Sequence, residues 1–245
     1  LAQKVNKLQG PILILGSSGF VGANLLKTLL KYREDVFGTT TNLPFWRLEG
    51  LSEKNIIVAD LLVDANLDNL LDNVKPRIVF NCVAYGAYSF ETDTQLIYQT
   101  NFNLTAKILD RLKPRKISSY VHAGSSSEYG DNSAGPSEGE LPAPNSDYAV
   151  SKVACANLIS YLGNKYHIPC ANLRLYSVYG PLEDSSRLIP SLVRCGLEGR
   201  YPDFVNPDIS RDFIYIDDVC EAFIDTAINL NEKDYGKSFN IGSGL

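Results

Sequence analysis

Tyr148 and Lys152 stand four residues apart in the string Tyr-Ala-Val-Ser-Lys. On a helix that spacing places both side chains on one face, a turn apart. An ammonium beside a phenol favours the phenolate. Drawing a tyrosine from its ordinary value near 10 to neutrality takes roughly 4 kcal/mol, at about 1.4 kcal/mol per unit. The product is a group that takes and returns the proton of an alcohol. With 14 tyrosines in the chain, the pair alone also reads as a surface helix contact worth a few tenths of a kcal/mol.

A second chemical pattern lies near the start. The apolar run Pro11-Ile-Leu-Ile-Leu15 leads into Gly16-Ser-Ser-Gly19-Phe-Val-Gly22. Glycines are needed where a strand turns sharply into a helix and where backbone approaches a pyrophosphate. The helix start then offers unpaired N–H groups and a positive dipole end. An ordinary glycine-rich turn has the same letters, but its place after a first strand favours a dinucleotide site. The acid expected some 20 residues on, to hold a ribose hydroxyl, is missing. Thr39-Thr40-Thr41-Asn42 stands there instead, with Arg47 further along. Hydroxyls and an arginine suit a 2′-phosphate, so NAD and NADP both remain open. Asp60 either meets the adenine or caps its own turn.

Strands and helices must bring these groups together. Strands are expected at 11–15, 35–39, 56–60, 77–83, 119–124 and 170–176. Helices are expected at 20–32, 65–73 and 94–112, with another carrying Tyr148 to about Tyr166. Such alternation predicts βαβ units and an α/β fold, a Rossmann-type doubly wound parallel sheet. The expected division is a dinucleotide-binding domain over 1–180 and part of a smaller substrate lobe over 181–245, interleaved with the last strands. The stretch 131–147, rich in Gly, Pro, Ser and Asn, reads as a surface loop. Residues 239–244 read as a strand and turn cut off rather than completed.

Bulk properties exclude several classes. A net charge of −5 without a basic cluster argues against nucleic acid. The apolar stretches are strand-sized, which predicts no membrane span. Five scattered cysteines and two histidines suit neither a disulfide framework nor a metal site, and fit a reducing cytoplasm. Absence of Gly-x-Ser-x-Gly, with so few histidines, disfavours a serine hydrolase.

Further strings join the two patterns: Asn81-Cys-Val-Ala84, Asn101, Gly124-Ser-Ser-Ser-Glu-Tyr-Gly130, Leu173-Arg-Leu-Tyr-Ser-Val-Tyr-Gly-Pro181, Leu188-Ile-Pro190, Arg211-Asp-Phe-Ile-Tyr-Ile-Asp-Asp218 and Phe239-Asn-Ile-Gly242. Together they resemble the extended short-chain dehydrogenase/reductase family, in particular its NAD-dependent nucleotide-sugar epimerases, dehydratases and reductases. The resemblance implies an enzyme with bound NAD or NADP, leaning to NAD. Tyr148 takes the proton of a sugar hydroxyl while hydride leaves the same carbon, and Lys152 supports the phenolate and binds the ribose. Ser125, or Ser126 under a one-residue shift, holds the reacting sugar oxygen.

It further implies cofactor contacts from Gly16, Ser18, Gly19, Phe20, Val21 and Gly22 in the first turn. Thr40, Asp60 and Leu61 follow the next strands, with Val83, Ala84, Tyr85 and Asn101 after the fourth, and Tyr176 and Val178 after the sixth. On the substrate side, Arg211 pairs with a diphosphate, oriented by Asp212, and Ser177 replaces the usual asparagine. Leu188, with Ile189 and Pro190, walls the base or is mere core. Tyr88 faces the sugar or covers the cofactor. The implied partner is a nucleotide-diphosphate sugar, and the implied assembly a homodimer through the 94–112 and tyrosine helices, for which Leu104, Ile108, Leu109 and Leu112 are candidates. Family dehydratases place Asp and Glu directly after the catalytic Ser or Thr. Here Ser126 and Ser127 follow, with Glu128 one position late. That counts against a 4,6-dehydratase, although a one-residue shift would bring Glu128 into place; a 4-epimerase is favoured, with a 4-ketoreductase next. A cofactor-sensing scaffold without chemistry is the alternative of another class.

Overall fold

All four side chains of Ile12–Leu15 are buried, Ile12 and Ile14 in one apolar cluster and Leu13 and Leu15 in another. A strand buried on both faces needs helices above and below it. The computed structural model describes residues 1–43, 45–202 and 210–244. In chain order the elements are α1 (Ala2–Val5), β1 (Ile12–Leu15), α2 (Phe20–Leu30), β2 (Val36–Thr40), β3 (Ile56–Val58), α3 (Asp64–Val74), β4 (Ile78–Asn81), α4 (Thr94–Tyr98) and α5 (Leu104–Leu112). There follow β5 (Ser119–Ser125), α6 (Asp147–Tyr166), β6 (Cys170–Leu175), β7 (Ser177–Tyr179), α7 (Leu188–Leu197), β8 (Phe213–Tyr215), α8 (Ile216–Asn229) and β9 (Ser238–Ile241).

Seven strands form one sheet in the order β3-β2-β1-β4-β5-β6-β9, every pair parallel. The Rossmann-type α/β fold expected from the alternation is what the chain adopts. Strand order reverses between β1 and β4, and in such sheets ligands lie outside the carboxyl ends of the strands at that point. Helices α2 and α8 cover one face, with Leu25, Leu29, Val219 and Phe223 in the cluster they share. Helices α3, α5 and α6 cover the other. A two-stranded parallel sheet, β7 with β8, stands beyond the main one. Part of the 181–245 segment, residues 203–209, lies outside the described residues.

One expectation needs correction. Leu104, Ile108, Leu109 and Leu112 are at most 2% exposed and pack inside the core, so they form no subunit face. The predicted 94–112 helix is continuous but contains a π-turn at Gln99–Asn103, held by long-range bonds that local periodicity does not carry. Among the described residues no helix is long and apolar enough to cross a membrane, and no three His, Cys, Asp or Glu side chains converge as a metal site.

Candidate active site

The turn after β1 is built by missing side chains. Gly16 has φ +75°, and a Cβ there would lie 2.9 Å from the Val83 nitrogen. A Cβ on Gly22 would run into the Gly16 carbonyl oxygen. Gly19 is the N-cap of α2 and provides no side-chain cap, so the first N–H groups of the helix face outward. Ser18, Phe20 and Val21 complete this cradle, a few ångströms from the backbone after β4 that carries Val83, Ala84 and Tyr85. Its shape fits a dinucleotide diphosphate.

The hydroxyls of Thr39 and Thr40, at the end of β2, turn inward. Thr39 Oγ1 accepts the Gly16 N–H at 3.1 Å. Thr40 is 3% exposed and donates its hydroxyl to the Asn42 carbonyl. Arg47 stacks on Trp46, 4.4 Å from the ring centroid, and donates to the carbonyls of Leu182 at 2.8 Å and Ser18 at 3.3 Å. These groups brace the turn and tie it to the segment after Pro181. As receptors for a 2′-phosphate they are already engaged. Asp60 is exposed, and its Oδ1 accepts the Leu62 N–H at 3.0 Å and so caps its own turn; Leu61 is buried behind it.

Asn101 makes its bonds within the protein. It is fully buried in the π-turn, and its carboxamide accepts the Tyr85 N–H and donates to the Tyr85 carbonyl and Ser151 Oγ at 2.8–2.9 Å. Ser151 donates in turn to the Tyr148 carbonyl. Asn101 therefore positions Tyr85 and the tyrosine turn, with its carboxamide oxygen and amide group engaged within the protein. Gly86 sits beside them: a Cβ on it would lie 3.5 Å from the Tyr148 ring. Its part was missed in sequence, although a glycine after Ala84-Tyr85 was visible.

Tyr148 is half-buried in the first turn of α6, whose N-cap Ser146 accepts the Ala149 N–H. Lys152 is 1% exposed; its Nζ lies 5.6 Å from the Tyr148 ring centroid and donates to the Ala123 carbonyl at 2.8 Å. One of three ammonium protons is thus anchored to β5 and two remain. Ser125 ends β5 at the carboxyl edge of the sheet, partly buried, and its Oγ accepts the Ser127 N–H at 3.1 Å. Glu128 is 0% exposed. It accepts the Ser125 N–H at 3.1 Å and Arg174 Nε at 2.7 Å, so its carboxylate is engaged within the protein. Beneath lies a polar cluster that sequence reasoning passed over: Asn81 donates to Tyr120 Oη at 2.8 Å and to His122 Nδ1 at 3.3 Å. Burial first, and then the charge of Lys152, holds His122 well below the ordinary imidazole value. Burial pushes Cys155 up to about 11 and Cys170 and Cys220 up to about 12, so none of these thiols is a ready nucleophile.

Tyr176, Ser177 and Val178 follow β6, partly buried at the same sheet edge. Arg211 is exposed just before β8. Asp212 does not orient it: that carboxylate accepts the N–H groups of Ser243 at 2.7 Å and Gly244 at 3.1 Å. Leu188 is 44% exposed, whereas Ile189 and Pro190 line a hollow of about 720 Å³ with Tyr179, Glu183, Val193 and Leu197. Tyr88 stacks on Phe90 and carries the Arg187 guanidinium 4.8 Å above its ring. Strands β1, β4, β5 and β6 thus bring the glycine cradle, Tyr85, Ser125, Tyr148 and Lys152 to one edge.

Comparison with known proteins bears on the family and the fold. The model of the NAD dependent epimerase/dehydratase family matches residues 12–242. A UDP-glucose 4-epimerase of Mycolicibacterium smegmatis is 29% identical over 95% of this chain and 77% of its own length. The structure of UDP-glucuronic acid 4-epimerase from Bacillus cereus in complex with NAD is 28% identical, with a TM-score of 0.80 over 94% of this chain and 78% of that one. A dTDP-glucose 4,6-dehydratase from Bacillus anthracis, 23% identical with a TM-score of 0.79 over 96% and 76%, shares the fold.

Proposed function

The chain belongs to the NAD dependent epimerase/dehydratase family, and from that premise we propose that it is a nucleotide-sugar 4-epimerase. The observation that carries this choice is Glu128. It is the one carboxylate among the residues directly after Ser125, and it is fully buried against Arg174. Dehydration of a ketosugar needs acid and base groups at that place. Only the hydroxyls of Ser126 and Ser127 stand there. Oxidation and return of hydride need no such pair.

In this reading the Tyr148 phenolic oxygen takes the proton of a sugar hydroxyl and later gives it back. The Lys152 ammonium, fixed by the Ala123 carbonyl, stabilises the charge that the phenol carries between those events. Ser125 donates a hydrogen bond to the reacting oxygen and holds it beside Tyr148. When bound, the nicotinamide accepts hydride from the same sugar carbon and returns it. The cradle of Gly16, Ser18, Gly19, Phe20 and Val21 would hold the cofactor diphosphate, with Val83 to Tyr85 and Lys152 at the nicotinamide end. The inward hydroxyl of Thr40 and the engaged guanidinium of Arg47 support NAD over NADP. Arg211, with Ser177 nearby, would pair with the substrate diphosphate as a guanidinium fork, and the hollow at Ile189 and Pro190 would take the base. The reading includes a homodimer through α6, which leaves Val150 and Tyr161 40% and 47% exposed; sedimentation velocity tests it.

Incubation with a panel of nucleotide sugars tests the activity. Product of unchanged mass and altered retention is expected, without net consumption of nicotinamide. Loss of the mass of water would show a dehydratase instead, and stoichiometric oxidation of reduced cofactor a ketoreductase. Tyr148→Phe should lower kcat by about 10²–10⁴ with cofactor still bound. Cofactor binding with no turnover of any sugar would favour the sensing scaffold.

A further inference from the structure

We propose that Glu128 is a positioning residue: its buried carboxylate fixes the backbone of Ser125 so that the serine hydroxyl presents its proton to the cleft. The inference rests on the reading of Ser125 as the group that holds the reacting sugar oxygen.

The carboxylate is surrounded by donors. Oε1 accepts the Ser125 N–H at 3.1 Å and Asn172 Nδ2 at 3.2 Å. Oε2 accepts Arg174 Nε at 2.7 Å. Ser125 Oγ, in turn, accepts the Ser127 N–H. A serine hydroxyl has one proton and two lone pairs. With one lone pair held by Ser127, the oxygen is fixed while its proton remains free to donate to a ligand oxygen. Space for the carboxylate comes from Gly124, where a Cβ would lie 2.6 Å from Oε1 and would collide with Asn172 Oδ1.

The charge is what a mere cap would not require. A neutral carboxamide can cap a four-residue 3-10 turn. Burying a carboxylate and a guanidinium costs several kcal/mol for each ion unless they pair well, and here the two side chains are 0% and 7% exposed. What the pair adds is stiffness across distant segments. Arg174 Nη1 donates to Tyr129 Oη at 2.7 Å and to the Glu138 carbonyl at 3.2 Å. Tyr129 donates to Asn240 Oδ1 at 2.7 Å. One buried pair therefore braces the Ser125 turn from below and, through Glu138, the loop that runs into the Tyr148 helix. A misplacement of about 1 Å at a reacting group can slow turnover about 10²-fold, so rigidity at this turn bears directly on rate.

The test is a double-mutant cycle on kcat, KM and NAD affinity with Ser125→Ala, Glu128→Gln and the two combined. Glu128→Gln points amide protons at the Asn172 and Arg174 donors and so loosens the turn. It should lower kcat about 10- to 100-fold with KM and NAD affinity within about twofold, and the double variant should be no slower than Ser125→Ala alone. Asn172→Ala, which keeps the ion pair, serves should Glu128→Gln fail to fold: kcat should fall about 3- to 10-fold, again absorbed in the Ser125→Ala background. Losses that multiply, or wild-type kcat in a folded Glu128 variant beside a slow Ser125→Ala, overturn the inference alone. Wild-type turnover by Ser125→Ala would overturn the reading of Ser125 as well.

Discussion

Two strand-to-helix turns stand at the carboxyl edge of one parallel sheet, after β1 and after β5, and they treat their unpaired N–H groups in opposite ways. At the glycine turn no side chain caps the helix, and the strand beneath is apolar throughout, Ile12 to Leu15. At the serine turn a capping box fills both positions, Ser125 toward Ser127 and Glu128 toward Ser125. The layer beneath it is polar, with Asn81, His122 and Asn172 side by side in register. Bare N–H groups at a helix start receive an anion. Satisfied ones leave a turn that presents hydroxyls, with Ser125 Oγ held in place by the Ser127 N–H. The first turn suits binding and the second suits orientation, and the polar layer of Asn81, His122 and Asn172 lies under the second.

Adding a methyl group to each turn separates the two roles. In Gly22→Ala the new Cβ meets backbone, the Gly16 carbonyl and, at 3.0 Å, Ser17 Cα, neither of which can swing aside. NAD affinity should drop about 100-fold or more, about 2.7 kcal/mol. Trp46, the sole tryptophan, stacks on the arginine that reaches Ser18, so its fluorescence offers a direct titration. Gly124→Ala presses instead on the side chains of Glu128 and Asn172. It should lower kcat about 10-fold or more with NAD affinity nearly unchanged. Equal weakening of NAD binding in both variants would break the comparison.

The glycine turn was legible in sequence because the need for a missing Cβ is set by nearby backbone, as where Gly22 meets Gly16 and Ser17. The alternation of strands and helices was legible too, since strands buried on both faces read as short apolar runs between amphipathic helices. What stayed hidden depended on partners far along the chain. Glu128 looked like a misplaced catalytic acid because its partner Arg174 is 46 residues away; the Ser125-x-x-Glu128 spacing of a capping box was the one local sign. Asn101 looked like a ligand contact, though its bonds go to Tyr85 and Ser151. The leucines of α5 showed that one face is buried without showing against what.

The smallest expected effect concerns the polar layer itself. His122 Nδ1 faces Asn81 and Tyr120, its Nε2 has no partner, and burial keeps it neutral well below the ordinary value of 6.5. As pH falls through 6.5 the unfolded chain takes up a proton that the folded chain refuses. The unfolded state then binds more protons, so stability declines toward acid, by up to about 1.4 kcal/mol per pH unit until the folded-state value is reached. Above that window the imidazole is neutral in both states and contributes no slope. His122→Asn retains an acceptor for Asn81 and removes the titration. Urea unfolding at pH 5.0, 6.0 and 7.5 should therefore show a steeper acid decline in the wild type than in the variant. The glycine turn offers a control, since Ile12 to Leu15 beneath it carry no titrating group and Ile14→Val should leave the slope as it was. Parallel slopes in wild type and His122→Asn would mean that the imidazole takes its proton inside the fold, and that the layer under Ser125 is softer than its hydrogen bonds imply.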